Sequence, residues 1–279
     1  MSRLLQCYDA GNGAQLLWIE AQDYAAQLLC GGTPPWTDAA SALAYLNKVQ
    51  GLIRSDVIVL PVATIIAAWL DHHADLRVAI ATKTRLLSPL KVLLGDAALR
   101  THLNQIAQGL RASHRERPLV LSVPSPRHWP ALAYAQAFVD ATSPVVEADD
   151  ADAASVYIAD FLRGFGEIDI DGLLLHESTD SVPASDEDLA CYGAVANLAR
   201  HYRWALVLQQ PRAGDYDAAT IDLVLTPQPQ RGAVRDMRSA TLDATSVPVG
   251  RHLLIPAHGL SPERVLESLA ALRHDGVTC

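Results

Sequence analysis

Asp171–Ser178, DGLLLHES, joins three leucines directly to His176 and Glu177, two side chains able to exchange protons. A run apolar on both faces that stops in such groups is the form of a buried parallel strand delivering chemistry at its C-terminal end. Other runs end in the same way. PLVLSV at 118–123 leads into PSPRHWP, where Pro124, Pro126 and Pro130 stiffen a loop that presents Ser125, Arg127 and His128. WALVLQQ at 204–210 ends in Gln209 and Gln210 with Arg212 just beyond, and RHLLIPAH at 251–258 ends in His258. A guanidinium pairs with a carboxylate through two parallel hydrogen bonds, and an imidazole moves protons near neutral pH. Together these residues imply a site for a small anionic, carboxylated compound: Arg127 or Arg212 anchors it with Ser125, His128 and Gln209, and His258, His176 and Glu177 do the chemistry.

The elements that must position these groups follow from periodicity. DVIVLPV at 56–62 and IDLVLT at 221–226 complete the clear strands. Helices are expected over 39–53 behind Asp38, from Asp96 with Leu99, Leu103, Ile106 and Leu110 on one stripe, over 130–141 and 149–165, from Ser185 through Leu189 to Ala199, and over 261–273. Residues 4–19 read as two apolar pieces about a turn at Asp9–Gly13. Strands alternating with helices imply an α/β fold with a parallel sheet, and seven or eight strands in 279 residues favour a (β/α)8 TIM barrel, irregular in places. The expected organisation is one domain over 1–279, with residues 1–54 as an N-terminal extension packed on the barrel.

Composition narrows the partners. A net charge of −9 without a Lys/Arg cluster excludes a nucleic-acid surface. No apolar run is long enough to span a bilayer and the N-terminus lacks an apolar signal core, so no membrane is expected and a cytoplasmic location is. The four cysteines are scattered, which signals neither disulfides nor zinc. No metal and no cofactor are expected: His72 and His73 are adjacent on a helix and point about 100° apart, and DVIVLPVAT lacks the glycine-rich turn of a dinucleotide fold. A homodimer is left open.

Two stretches carry a family resemblance. HLLIPAHGLSPERVLESLAAL at 252–272 resembles the closing strand and helix of the uroporphyrinogen decarboxylase and cobalamin-independent methionine synthase superfamily, in which a strand ends in His-Gly or Cys-Gly before a proline-bearing helix start. SDVIVLP at 55–61 is similar to the aspartate-bearing strand near the decarboxylase N-terminus. The resemblance carries an active-site histidine onto His258 and a substrate-binding aspartate onto Asp56. The decarboxylase's arginine-rich N-terminal segment has no counterpart, and Glu177 and Ser178 follow His176 where the methyltransferases have a His-x-Cys zinc pair. The function expected is therefore a metal-independent lyase or decarboxylase acting on a small carboxylated compound. The alternative is a catalytically altered barrel that serves as an anion-binding or partner subunit.

Overall fold

The computed structural model describes residues 1–10, 16–139, 141–142, 144–178, 182–210, 220–228, 235–243, 245 and 250–275. The chain runs α1 (Arg3–Ala10), β1 (Trp18–Glu20), α2 (Gln22–Cys30), α3 (Ala39–Ile53), β2 (Ile58–Pro61), α4 (Val62–His72), α5 (Ala74–Ile80), α6 (Leu87–Gly95) and α7 (Ala97–Ser113). It continues with β3 (Leu119–Pro124), α8 (Trp129–Ala137), α9 (Ala148–Arg163), β4 (Gly172–His176), α10 (Asp186–Ala190), α11 (Gly193–Tyr202), β5 (Ala205–Gln209), β6 (Leu223–Thr226), β7 (Arg235–Thr241), β8 (His252–Leu254) and α12 (Pro262–Asp275).

All eight strands are parallel and follow the order β1-β8-β7-β6-β5-β4-β3-β2, a nearly closed (β/α)8 barrel of the TIM type. Among the described residues β1 and β2 form no ladder. Their seam is fastened at its lower end instead: Asp56 N–H donates to Leu17 O (3.0 Å), Leu17 N–H to Asp56 Oδ2 (2.8 Å) and Ile19 N–H to Ser55 Oγ (3.0 Å).

Period-two alternation sorts the core. Ile58, Leu121, Leu173, Leu175, Leu206 and Leu208 face the surrounding helices. Val120, Leu174, Val207, Leu223 and Met237 fill the lumen with Trp18, and α1 closes the floor with Leu4, Leu5 and Tyr8. Gly172 permits that closure, because a Cβ there would stand 3.1 Å from Leu4 Cδ2 and 3.3 Å from Ala205 O. Two helices start as their sequences imply, Asp38 accepting from Ser41 N–H (2.8 Å) and Asp96 from Leu99 N–H (2.7 Å). Among the described residues no helix is long and apolar enough to cross a membrane.

The structure departs from the sequence reading in four places. Residues 4–10, read as an apolar piece leading into a turn, form α1 with Asp9 and Ala10 of that turn inside it, and Gly11–Gly13 lie outside the described residues. Residues 1–54 are no mere extension, because β1 is a stave of the barrel. The single helix expected after Ser185 is broken at Cys191–Tyr192 into α10 and α11, with Tyr192 turned fully into the core. Finally β7, RDMRSAT, had no apolar signature; it pairs with β6 and β8 through its backbone while burying little beyond Met237 and Ser239.

Candidate active site at the barrel mouth

The C-terminal ends of barrel strands converge on one face, where enzymes of this fold place their chemistry. Inward positions near that face are Ser122 within β3, His176, Gln209 and Glu20 at the ends of β4, β5 and β1, Ser239 on β7, and His252, which opens β8 beside Ser239. Register fixes them: His176 stands between Pro124 and Gln209, and His252 between Trp18 and Ser239. β4 and β8 are four steps apart in the eight-strand order, so His176 and His252 face each other across the lumen.

Each imidazole has a hydroxyl partner. Ser122 Oγ bonds His176 Nε2, and the Gln209 amide also bonds the ring. Ser239 Oγ lies 2.7 Å from His252 Nδ1, and His252 Nε2 lies 3.0 Å from Glu20 Oε1. The Trp18 indole meets the His252 ring edge-on at 5.8 Å and fixes its plane from below. Burial pushes Glu20 upward, but the hydrogen bond from His252 and the positive charge that either histidine gains on protonation outweigh it and hold the carboxyl below its ordinary range. An ionised Glu20 can only accept, so Nε2 of His252 donates to it and Nδ1 faces the Ser239 hydroxyl. Burial lowers His176, which favours a neutral imidazole able to take up a proton.

A second polar group lies behind the strand ends. Glu177 follows His176 and therefore points the other way, towards the helices. The Tyr192 hydroxyl donates to Glu177 Oε1, Ser125 lies beside both, and Arg127 Nη1 stands 3.9 Å from Glu177 Oε2 and 3.2 Å from Asp188 Oδ2. Burial raises Glu177, against the Tyr192 hydrogen bond and the Arg127 charge; burial and the neighbouring Glu177 raise Tyr192 as well. Gln210 Oε1 accepts from Ala184 N–H (2.9 Å) and ties the loop ahead of α10 to β5. Ser125 N–H donates to His176 O (2.9 Å), and burial lowers His128, which hydrogen-bonds the same residue's backbone. Gln210 Nε2 is buried without a hydrogen-bond partner among the described residues, and Ser125 Oγ, Arg127 Nη1, His128 Nδ1, Glu177 Oε2 and Gln209 Oε1 are buried and meet their neighbours outside ordinary hydrogen-bond geometry. Buried polar atoms are normally paired, so this concentration at the ends of three neighbouring strands marks a place built for a ligand or a moving loop.

The residues singled out from sequence therefore divide. His176 and Gln209 face the lumen, whereas Ser125, Arg127, His128 and Glu177 gather behind it. His258 is on an exposed loop beyond β8, whose ladder ends at Leu254, so it does not stand at a strand end. Asp56 is at the N-terminal end of β2, on the opposite face from the mouth, where it fastens the seam. Arg212 lies outside the described residues. Sequence reasoning missed Glu20, Ser122, Ser239 and His252. Glu20 could have been found, since LLWIE ends an apolar run in a carboxylate just as LLLHE does, but His252 begins its strand and Ser122 sits inside one.

Among the described residues no three His, Cys, Asp or Glu side chains are grouped to hold a metal ion. No protein-family model and no curated protein matches the chain.

Proposed function

We propose that the protein is a lyase, of decarboxylase type, that moves protons on a small carboxylated compound held in the barrel mouth. The opposition of His176 and His252 across the lumen supports this reading most directly. Their partners differ, a carboxylate for His252 and none for His176, and that difference assigns acid and base. Buried neutral His176 takes the proton from the substrate, and His252, backed by ionised Glu20, returns one through the Ser239 hydroxyl as a carbon–carbon bond to the carboxylate or a neighbouring carbon breaks. Arg127, on the loop after β3, leaves Asp188 behind the strand ends and turns to the mouth to supply positive charge for the carboxylate. The barrel is also the frame that the resemblance to the decarboxylase and methionine synthase superfamily implies, and membership of that superfamily is part of the proposal.

The test is a thermal-shift screen of small mono-, di- and tricarboxylates followed by product analysis of each stabilising compound, since a ligand of the folded state alone raises its stability. The expected result is stabilisation by a small set, weakened in Arg127→Ala, with turnover lost in His176→Ala. A screen in which no carboxylate raises Tm overturns the reading. Stabilisation with no product from any compound sinks the lyase and leaves an anion-binding barrel.

A further inference from the structure

Ser239, His252 and Glu20 form a connected chain on three adjacent staves, β7, β8 and β1. The order is hydroxyl to imidazole nitrogen, then the other ring N–H to carboxylate, the arrangement by which a serine is made nucleophilic on unrelated folds. Three observations go beyond the hydrogen bonds. His252 is 0% exposed and is fixed by the Trp18 edge and by ladder partners on both sides, so the relay is preorganised. Ser239 retains 8% exposure where His252 retains none. The neighbouring pair lacks the third member: Ser122 bonds His176, whose ring takes the neutral Gln209 amide where a carboxylate would be required. An ionised carboxylate and a histidine in a barrel lumen are also costly to desolvate, and apolar filling would serve stability at least as well.

We propose that Ser239 is an acyl-accepting nucleophile and that the barrel mouth hydrolyses small, unhindered carboxylic esters, an activity separate from the proton transfers of the lyase reading. Ser239 Oγ bonds the acyl carbon while its proton passes to His252 Nδ1; the Nε2–H stays on Glu20, which balances the imidazolium charge. The carbon–oxygen bond to the alcohol breaks, and the alcohol leaves with the proton from Nδ1. Water then attacks the acyl carbon, gives its proton to Nδ1, releases the carboxylic acid and restores the Ser239 hydroxyl.

The experiment treats the full chain with p-nitrophenyl acetate, follows p-nitrophenolate release and locates the acetyl group by peptide mass spectrometry. Acetylation of Ser239, absent in Ser239→Ala, is the expected result. Glu20→Gln keeps an acceptor for the imidazole N–H but removes its charge, and the expected loss is about 10³- to 10⁴-fold in release rate with unchanged circular dichroism. An acetyl group on Ser122, acetyl groups on surface lysines alone, or release at the same rate in Glu20→Gln overturns the proposal. A failed carboxylate screen alongside Ser239 acetylation would remove the lyase reading and leave this one standing.

Discussion

Asp171 and Asp169 share the same two arginine partners and differ in burial, so they isolate what burial contributes to an ion pair. Asp171 Oδ2 accepts from Arg3 Nη1 at 2.9 Å, from Arg111 Nη1 at 3.0 Å and from Leu119 N–H at 2.9 Å, with its side chain 5% exposed. Asp169 Oδ2 is 3.1 Å from Arg3 and 3.7 Å from Arg111, but its side chain is 67% exposed. Asp171→Ala leaves the Leu119 N–H buried without an acceptor and two guanidinium groups without their inner partner. Breaking a buried pair from one side costs about 3–5 kcal/mol. The lower end applies here, because Arg3 is 30% exposed and water can take up part of its charge. Asp169→Ala removes only a solvent-screened pair, at about 1 kcal/mol or less. Urea unfolding followed by circular dichroism measures both. Equal losses in the two variants would refute the view that this cluster locks α1 and α7 to the start of β4.

Leu174→Ala opens a cavity in the lumen, where the side chain is fully buried, and should lower unfolding free energy by about 2–5 kcal/mol in the same assay. His176 is held below its ordinary value of 6.5, so on acidification the unfolded chain takes up the proton first; stability contributed by the neutral ring is complete above about pH 6.5 and falls as pH drops below it. His176→Gln should flatten that part of a Tm-against-pH curve, and an unchanged slope would contradict the burial argument. Glu177 has the opposite sign. Its raised value means that stability is complete below its ordinary 4.5 and is lost as pH rises through the folded value, a loss that Glu177→Gln should abolish.

The fold was legible in the sequence where strands are buried on both faces. IVLP, LVLSVP, LLLH, ALVLQ and LVLT each show unbroken apolar character because the lumen takes one face and the helices take the other. β7 was illegible because a strand hydrogen-bonded on both sides needs no apolar run when its outward residues Asp236, Arg238 and Ala240 are not buried and its lumen face carries Ser239. Ser239, one of the six inward positions at the mouth, was lost with it. His176 and Gln209 could be placed by counting from the end of an apolar run, but the same rule selected Glu177, which alternation turns outwards, and His258, which lies beyond the last paired residue. Ser122 and His252 matter through cross-strand register, and register between parallel strands is set by contacts that no single segment encodes.

The central claim is that His176 and His252 face one ligand space at the mouth. It is tested most directly by long-range ¹H–¹⁵N spectra of the histidine rings, assigned with His176→Gln and His252→Gln, while the best-stabilising carboxylate is titrated in. The account predicts that the ring nitrogens of His176 and His252 shift together along one binding curve while those of exposed His258 stay in place; shifts confined to His258, or binding that leaves both lumen histidines unmoved, would contradict it.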